Sequence, residues 1–141
     1  MRRPVVQTAR RMVARAALRR DRIAAGTAAF ARGLSAEESV VRHYEASGRC
    51  IAARRWRGQS GEIDLVAREG GGLVFIEVKA AETHAWAAER LTARQMGRIC
   101  AAASEYLAGE PAGQATPVRF DVALVDAAGR IDIREGAFGL A

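Results

Sequence analysis

The strongest constraint on the fold is a pair of strand-like segments, Glu62–Arg68 and Leu73–Lys79, separated by the glycines Gly70 and Gly71. Both segments are rich in branched apolar residues, and a Gly-Gly pair between two such runs is typical of a β-hairpin with a two-residue turn. Such a turn pairs residues whose numbers sum to 141, so the register of the whole hairpin follows from arithmetic.

The predicted register brings four charged side chains together at the open end of the hairpin. Asp64 faces Glu77 and Glu62 faces Lys79, with opposed Cβ atoms about 5 Å apart. Side chains alternate along a strand, so all four are predicted to share one face. The other face is predicted to be apolar and consists of Ile63, Leu65, Ala67, Val74, Ile76 and Val78.

Two directly opposed carboxylates repel each other, so Asp64 and Glu77 indicate a cation site. Mg²⁺ takes oxygen ligands and usually keeps several waters, so two carboxylates suffice as anchors, and Mn²⁺ suits the same ligands. Lys79 beside them can orient or deprotonate an attacking water, which suits metal-dependent hydrolysis of a phosphodiester. The alternative is a hairpin with ordinary cross-strand salt bridges, as Glu62 and Lys79 alone would form.

The use of lysine favours the catalytic interpretation. The chain has 22 lysine and arginine residues, and Lys79 is the single lysine among them. Arginine stays protonated in proteins, whereas a lysine can shift its pKa when it is desolvated. The one lysine therefore stands where this difference matters for chemistry.

Helical patterns precede the hairpin. Ser35 and Glu38 form a capping box that is predicted to open a first helix. Glu37 shares the inward face of that helix with Val41 and Tyr44, because these positions are four and seven residues apart from it.

The remaining elements predict the fold class. A strand is predicted at Arg49–Trp56, a second capping box of Thr92 and Gln95 opens a further helix, and strands follow at Val118–Val125 and Ile131–Ile133. This order predicts an α/β sandwich in which a mixed central sheet begins as an antiparallel meander. A helix then crosses over to a parallel strand, and one helix packs on each face.

The hairpin resembles the signature of a known family. The segments Gly61–Ala67 (GEIDLVA) and Leu73–Lys79 (LVFIEVK) look like the central motif of the YraN-like family of proposed bacterial endonucleases. That family is similar in turn to archaeal Holliday-junction resolvases and to the restriction-endonuclease fold. Further matching positions are Gly33-x-x-Ala36-Glu37, Trp56-x-Gly58, Arg94-Gln95, Tyr106-Leu107 and Arg119-Phe120-Asp121-Val122.

The resemblance implies a nuclease site of the PD-(D/E)xK kind. Glu37 would approach it from the first helix, and Asp64 and Glu77 would bind the metal together with the carbonyl of Val78. Lys79 would serve the attacking water. Glu37, Asp64, Glu77 and Lys79 are thus the predicted catalytic residues.

Four positions depart from the family pattern. The family often has Asn where this chain has Arg55, and Lys where it has Arg94. It favours a polar or basic pair where this chain has Ala80-Ala81. These positions concern the substrate surface more than the metal site, so they bear on substrate geometry and affinity.

Several side chains are candidates for binding nucleic acid. Arg54, Arg55 and Arg57 precede the loop Gly58–Gly61 and are predicted to bind phosphates, because a guanidinium matches phosphate oxygens in a bidentate way. The alternative is a solvated strand edge. Gln95 is first a helix cap, with a substrate contact as its second predicted role.

Four less common side chains are expected in the core. Cys50 and Cys100 match no metal-ligand or redox spacing, so two reduced core thiols are expected. Trp56 and Trp86 are expected to pack in the core, with stacking on nucleic-acid bases as the alternative.

The positive charge belongs mainly to the N-terminal segment. Residues 1–34 hold nine of the 22 basic residues and one acid, which leaves 13 basic and 15 acidic residues in the rest of the chain. We therefore predict a basic extension at residues 1–32, helical or disordered, and a nuclease-like domain at residues 33–141. The extension could hold phosphate backbones nonspecifically, and a chain start at Met12 is a further alternative.

Composition narrows the class of protein. No apolar run of about 18 residues occurs, and arginines interrupt the N-terminal stretch before a signal sequence could form, so a cytoplasmic protein without a membrane partner is predicted. The predicted function is Mg²⁺-dependent cleavage of DNA, including branched or damaged DNA. A nucleic-acid-binding module with little or no cleavage and an RNA nuclease are the alternatives, and both a monomer and a homodimer stay open.

Overall fold

The computed structural model describes residues 32–139. Ser35 begins the compact unit that contains the strands of these residues. The predicted basic extension lies outside the described residues apart from Arg32, so its helical or disordered state stays a prediction. In chain order the elements are α1 (residues 32–46), β1 (Cys50–Arg57), β2 (Glu62–Glu69), β3 (Gly72–Ala80), α2 (His84–Glu89), α3 (Ala93–Leu107), a 3-10 turn (Gly113–Ala115), β4 (Val118–Val125) and β5 (Ile131–Phe138).

The five strands form one mixed sheet in the order β1-β2-β3-β4-β5. The first three strands form an antiparallel meander, α2 and α3 carry the chain to β4 beside and parallel to β3, and β5 returns antiparallel. The core on one face is closed by α1, and the core on the other face is closed by α3. The predicted α/β sandwich with a mixed central sheet is therefore confirmed.

The hairpin of β2 and β3 has the register that its turn predicts. Arg68 pairs with Leu73 and Val66 pairs with Phe75, as the sum of 141 requires. Gly70 opens the turn with a φ of +58°, a backbone region that glycine enters without a steric penalty. The last strand is longer than predicted, because β5 continues past Ile133 to Phe138.

The two faces of the hairpin follow the predicted alternation with one exception. The core beneath α1 contains the predicted set Leu65, Ala67, Val74 and Ile76, with Val78 partly buried beside it. Ile63 instead packs on the α3 side, in the same cluster as Ile99. The prediction for Ile63 is wrong because regular alternation breaks between Ile63 and Leu65, where β2 leaves β3.

The first helix does not begin at the predicted cap. Residues 32–34 are already helical, so Ser35 lies inside α1, and its carbonyl accepts a hydrogen bond of 3.0 Å from the Ser39 hydroxyl. The Ser35–Glu38 capping box is therefore wrong as a helix start, because the helical backbone continues through it. The second box is confirmed, since Thr92 and Gln95 make both reciprocal hydrogen bonds at the start of α3.

Two of the four side chains expected in the core are found there. Trp56 packs edge-on against Tyr106 with ring centroids 5.3 Å apart, and Cys100 is buried. Cys50 is exposed at the start of the edge strand β1, so the expectation of a core thiol is wrong there. Trp86 is also exposed, at 62 %, which contradicts the expectation of core packing.

A buried carboxylate ties α1 to the sheet at the end where the hairpin turns. Asp121 is fully buried and accepts hydrogen bonds from the Tyr44 hydroxyl at 2.9 Å, from the Arg119 guanidinium at 2.8 and 3.1 Å, and from the Gly136 amide at 3.2 Å. These donors compensate the buried charge, as a buried carboxylate requires. They also hold the helix that carries Glu37, two turns before Tyr44, against the sheet.

Candidate active site

The candidate site lies where β2 and β3 separate. Their paired residues run from Glu69–Gly72 to Leu65–Ile76 and end there, although β2 continues to Glu62 beside β1, and β3 continues to Ala80 beside β4. A gap therefore opens between the two strands at the next pair, Asp64 and Glu77. We call this gap, lined by Asp64, Glu77 and the backbone of Val78, the notch.

The Asp64 carboxylate replaces a missing strand partner in the notch. The Val78 amide donates a hydrogen bond of 2.9 Å to Oδ2 of Asp64. Had the hairpin continued regularly, Val78 would have formed a hydrogen-bonded pair with the backbone of Ile63. Because the N–H and C=O of a strand residue point to the same side, the Val78 carbonyl also faces the notch.

Glu77 and Lys79 form a partly buried ion pair at the notch. Glu77 is 9 % exposed, and its Oε1 lies 3.2 Å from Nζ of Lys79. The predicted facing pair of Glu62 and Lys79 does not form an ion pair, because Glu62 binds Arg57 at 3.2 Å at the edge of the sheet. The parting of the strands accounts for this change of partners, since it carries Glu62 away with β1.

The two carboxyl groups of the notch interact strongly. Burial raises the pKa of Glu77 to about 7, with a further increase from the Asp64 charge, while Lys79 acts in the opposite direction. Burial also raises the pKa of Asp64, against the lowering effect of the Val78 amide and of a hydrogen bond from Glu77. Near neutral pH the ionised Asp64 therefore opposes ionisation of Glu77.

A divalent cation fits this donor set. The half-buried Asp64 opposes ionisation of the buried Glu77, so a cation between them would stabilise both charges, and the Val78 carbonyl offers a third oxygen beside them. In residues 32–139 no group of three or more His, Cys, Asp and Glu side chains forms a metal-binding cluster. The candidate site thus has two protein carboxylates and leaves its other positions to backbone oxygen, water and substrate.

Glu37 reaches the same region from α1. Its pKa is raised, first by burial, then by the charges of Asp64 and Glu62, while a hydrogen bond of 3.0 Å from Nε of Arg55 lowers it. Arg55 lies across from Asp64 in the sheet, so its hydrogen bond to Glu37 brings Glu37 to the Asp64 side of the notch. The structure therefore brings together all four predicted catalytic residues, Glu37 with Asp64, Glu77 and Lys79.

Arg55 has an unusual backbone. Its φ of +48° lies in the left-handed region, and in the described residues it is the only non-glycine residue with a positive φ. It occupies the position across from Asp64, between the paired residues Arg54–Leu65 and Trp56–Ile63. Asparagine adopts this conformation more readily than arginine does, which gives a physical reason for the Asn that the YraN-like family often has here.

The predicted phosphate-binding arginines all lie near the notch, and each binds a carboxylate. Arg54 binds Glu38 at 2.6 Å, Arg55 binds Glu37, and Arg57 binds Glu62. Arg57 is the most exposed of the three side chains, at 80 %. The fourth predicted contact, Gln95, lies in the first turn of α3, where its side chain accepts a hydrogen bond from the Thr92 amide.

The contact of Arg90 and the exposure of Trp86 at this end of the sheet were not predicted from the sequence. Arg90, after α2, donates a hydrogen bond of 2.9 Å to the carbonyl of Ala80, the residue next to Lys79. Trp86 lies one helical turn before Arg90. The exposure of Trp86 could have been predicted from the sequence. Ala87 and Leu91 are four residues apart and define the inward face of this segment, and Trp86 does not lie on that face.

Comparison with known proteins places the chain in a family. The model of "Uncharacterised protein family UPF0102" matches residues 36–125. The chain belongs to the UPF0102 family. This is the YraN family, so the resemblance of the hairpin motif is confirmed.

Close relatives in the UPF0102 family cover the same region. A UPF0102 protein of Cereibacter sphaeroides (strain ATCC 17029) is 63 % identical over 113 residues, which are 80 % of this chain and 97 % of that protein. One from Ruegeria pomeroyi is 58 % identical over 114 residues, 81 % of this chain and 93 % of that protein. One from Dinoroseobacter shibae is 41 % identical over 116 residues, 82 % of this chain and 87 % of that protein. The family name states no activity, so the chemistry must be argued from the notch.

Within residues 32–139, no helix has both the length and the apolar character that a membrane crossing requires.

Proposed function

We propose that this UPF0102 protein is a metal-dependent endonuclease that hydrolyses phosphodiester bonds of DNA, including branched or damaged DNA. The observation that supports this most directly is the notch. Two interacting carboxyl groups, the half-buried Asp64 and the buried Glu77, lie beside the only lysine of the chain, Lys79, at the point where two strands part. An ordinary surface salt bridge needs neither the burial nor the second carboxyl group.

In this proposal Asp64 and Glu77 hold Mg²⁺ or Mn²⁺ through their carboxylate oxygens, with the Val78 carbonyl as a further ligand. A divalent cation held there supplies Lewis-acid stabilisation of the phosphoryl oxygen and lowers the pKa of a bound water. The Val78 amide orients the Asp64 carboxylate by its hydrogen bond of 2.9 Å. Burial of Glu77 keeps bulk water from competing for the same oxygens.

Lys79 positions the attacking water. Its ammonium is held at 3.2 Å from Glu77, so it stays at the rim of the notch and can donate a hydrogen bond to the nucleophile. Glu37, held by Arg55, can accept a proton from a water, because burial raises the pKa of its carboxyl group above its ordinary value. Lys79 would thus donate a hydrogen bond to the attacking water, and Glu37 would accept its proton.

The arginines on β1 supply the substrate surface. Arg57 is exposed beside the notch and can exchange its Glu62 partner for a phosphate at little cost, because exposed ion pairs contribute only about 0–1 kcal/mol. Arg54, whose ion pair is also largely exposed, can do the same. Such contacts position a nucleic acid without reading its sequence.

The test is a cleavage panel of single-stranded, duplex, flap and four-way DNA and matched RNA, with Mg²⁺, Mn²⁺ or EDTA. We expect metal-dependent DNA cleavage that Glu77→Gln abolishes together with Mg²⁺ binding. Glu69→Gln is the matched control, because Glu69 lies in the same hairpin at its turn and should leave cleavage unchanged. Binding of DNA without cleavage would establish the binding-module alternative, and preferential cleavage of RNA would establish the RNA nuclease.

A further inference from the structure

The short helix α2 holds one large aromatic side chain away from the sheet. Ala87 is buried against Val122 and Leu124 of β4, so it defines the inward side of the helix. Trp86 is adjacent to it in sequence, about 100° around the helix, and 62 % of its surface is exposed. Within residues 32–139, Val118 is the other exposed large apolar side chain, and it lies at the opposite end of the sheet, paired with Leu73 beside the hairpin turn.

The helix that carries Trp86 lies at the same end of the sheet as the notch. Arg90 follows Trp86 by four residues, so their Cβ atoms are about 5–6 Å apart on one side of the turn. The Arg90 guanidinium binds the carbonyl of Ala80, directly after Lys79 in β3. Trp86 therefore lies one helical turn from a residue whose side chain is bound next to Lys79.

The size of the exposed surface favours a small planar ligand. A tryptophan side chain offers up to about 250 Å², so an exposure of 62 % leaves roughly 150 Å². A stable protein interface needs about 800 Å² on each partner, and the neighbours of Trp86 on this helix are alanines, Glu89 and Arg90. One indole face beside a guanidinium matches the area and the chemistry of a single nucleic-acid base.

We propose that Trp86 is a stacking platform for an unpaired base of the nucleic-acid substrate, next to the phosphodiester that enters the notch. This inference rests on the proposed nuclease function and adds a substrate preference to it. A base in an intact duplex is covered by its neighbours, whereas a base at a flap, a junction or in a single strand can turn onto the indole. The substrate class is therefore DNA with unpaired nucleotides, with Arg90 available for the adjacent phosphate.

The test measures the affinity of labelled single-stranded, flap and blunt duplex DNA of equal length, in EDTA, for wild type, Trp86→Ala, Trp86→Phe and Val118→Ala. Base stacking on an aromatic residue accounts for about a 5- to 150-fold change in affinity on alanine substitution. We expect a loss of that size in Trp86→Ala on single-stranded and flap DNA, and less than about twofold on the duplex. Trp86→Phe should retain most of the affinity, and Val118→Ala should match wild type.

Two further readouts make the stacking contact specific. The salt dependence of binding should keep its slope in Trp86→Ala, because stacking releases no counterions. The indole emission of Trp86, obtained as the difference between wild type and Trp86→Phe, should be quenched by single-stranded DNA. This second measurement needs only the conservative variant, so it remains decisive if Trp86→Ala does not fold.

Several outcomes would overturn the proposal. Unchanged affinity for single-stranded and flap DNA with no quenching refutes a stacking role, and an equal loss on all substrates refutes the preference for unpaired bases. Loss of self-association in Trp86→Ala with unaltered DNA binding would assign the indole to a contact between copies of the chain. If one of these outcomes occurs while metal-dependent cleavage still depends on Glu77, the stacking role of Trp86 is refuted and the proposed nuclease function stands. A wild-type protein that binds no nucleic acid removes the proposed function as well.

Discussion

Glu77→Gln should stabilise the metal-free protein at alkaline pH, although it destroys the candidate site. Burial raises the pKa of Glu77 from 4.5 to about 7, so the folded state holds a proton that the unfolded state releases in this range. Stability therefore falls as pH rises from about 4.5 to about 7, with a slope of roughly 1.4 kcal/mol per pH unit. The total is about 3 kcal/mol above pH 7, and glutamine avoids this loss because it cannot ionise.

The assay is urea unfolding in EDTA at pH 5 and pH 8.5. At pH 5 the Glu77 carboxyl is largely protonated in the fold, so wild type and Glu77→Gln should have nearly equal free energies of unfolding. At pH 8.5 the variant should be more stable by about 1–3 kcal/mol, the lower part of this range allowing for differences in hydrogen bonding between an amide and a carboxyl group. Mg²⁺ should then reverse the order, since 100 times its Kd adds about 2.7 kcal/mol to the protein that binds it.

Glu69→Gln is the matched control, because the pKa of Glu69 is shifted in the opposite direction to that of Glu77. The Arg49 guanidinium lowers the pKa of Glu69, so its charge contributes stability above the ordinary pKa of a glutamate and loses it as pH falls through the lowered value. This variant should therefore be no more stable than wild type at pH 8.5 and should keep the response to Mg²⁺. If Glu77→Gln is also no more stable at pH 8.5 and wild type gains nothing from Mg²⁺, the notch is not a cation site built on opposed carboxylates.

Three further predictions concern other parts of the chain. Lys79→Arg should keep the affinities for Mg²⁺ and DNA but lower the single-turnover cleavage rate by a factor of about 10²–10⁴, because a guanidinium is bulkier and would misplace the attacking water. Full activity of this variant would rule out a catalytic role of Lys79. Deletion of residues 1–30, which contain eight basic residues, should flatten the salt dependence of DNA binding, and identical slopes would show that the segment does not touch phosphate. Gly72→Ala should lower the free energy of unfolding by about 1–3 kcal/mol, because the new Cβ would lie 2.6 Å from the Pro117 carbonyl oxygen. Gly71→Ala is the control, because its Cβ would lie in open space, and thermal unfolding should show no such loss of stability for it.

The fold was largely predictable because its central element is local. A two-residue turn at Gly70-Gly71 fixes register by counting, and the structure keeps that register from Glu69–Gly72 to Leu65–Ile76. The helix after Thr92 was equally predictable, because the two residues of its capping box, Thr92 and Gln95, lie within four residues of sequence. Short-range geometry of this kind needs no knowledge of the rest of the chain.

The sequence could not show where the register ends. Arithmetic continues the hairpin to Glu62 and Lys79, but β2 follows β1 there, and β3 follows β4. Pairing between distant segments decides this, and alternation alone carries no information about it. The errors at Ile63 and in the partner of Lys79 both come from that single unforeseen separation.

The candidate site was predictable as a set of residues and only partly as a geometry. Asp64, Glu77 and Lys79 followed from the hairpin, and Glu37 from a resemblance. The amide of Val78 as the partner of Asp64 did not follow, because it depends on the strands parting. The left-handed backbone of Arg55 was also hidden, since nothing in the local sequence marks a position that most arginines avoid.

The ion pairs around the notch suggest why an arginine can replace the family's common asparagine at position 55. A left-handed backbone costs an ordinary residue roughly 1–2 kcal/mol, and the hydrogen bond of 3.0 Å from Arg55 to the half-buried Glu37 can offset part of that cost. The arginine at position 55 also contributes to the charge around the notch. The four ion pairs around the notch, Glu38–Arg54, Glu37–Arg55, Glu62–Arg57 and Glu77–Lys79, balance in charge, so these residues together with Asp64 sum to −1 when all are ionised. A single divalent cation would change that sum to +1. Under the proposed function, metal binding and attraction of a phosphate are then coupled, because the bound cation makes the charge around the notch more positive.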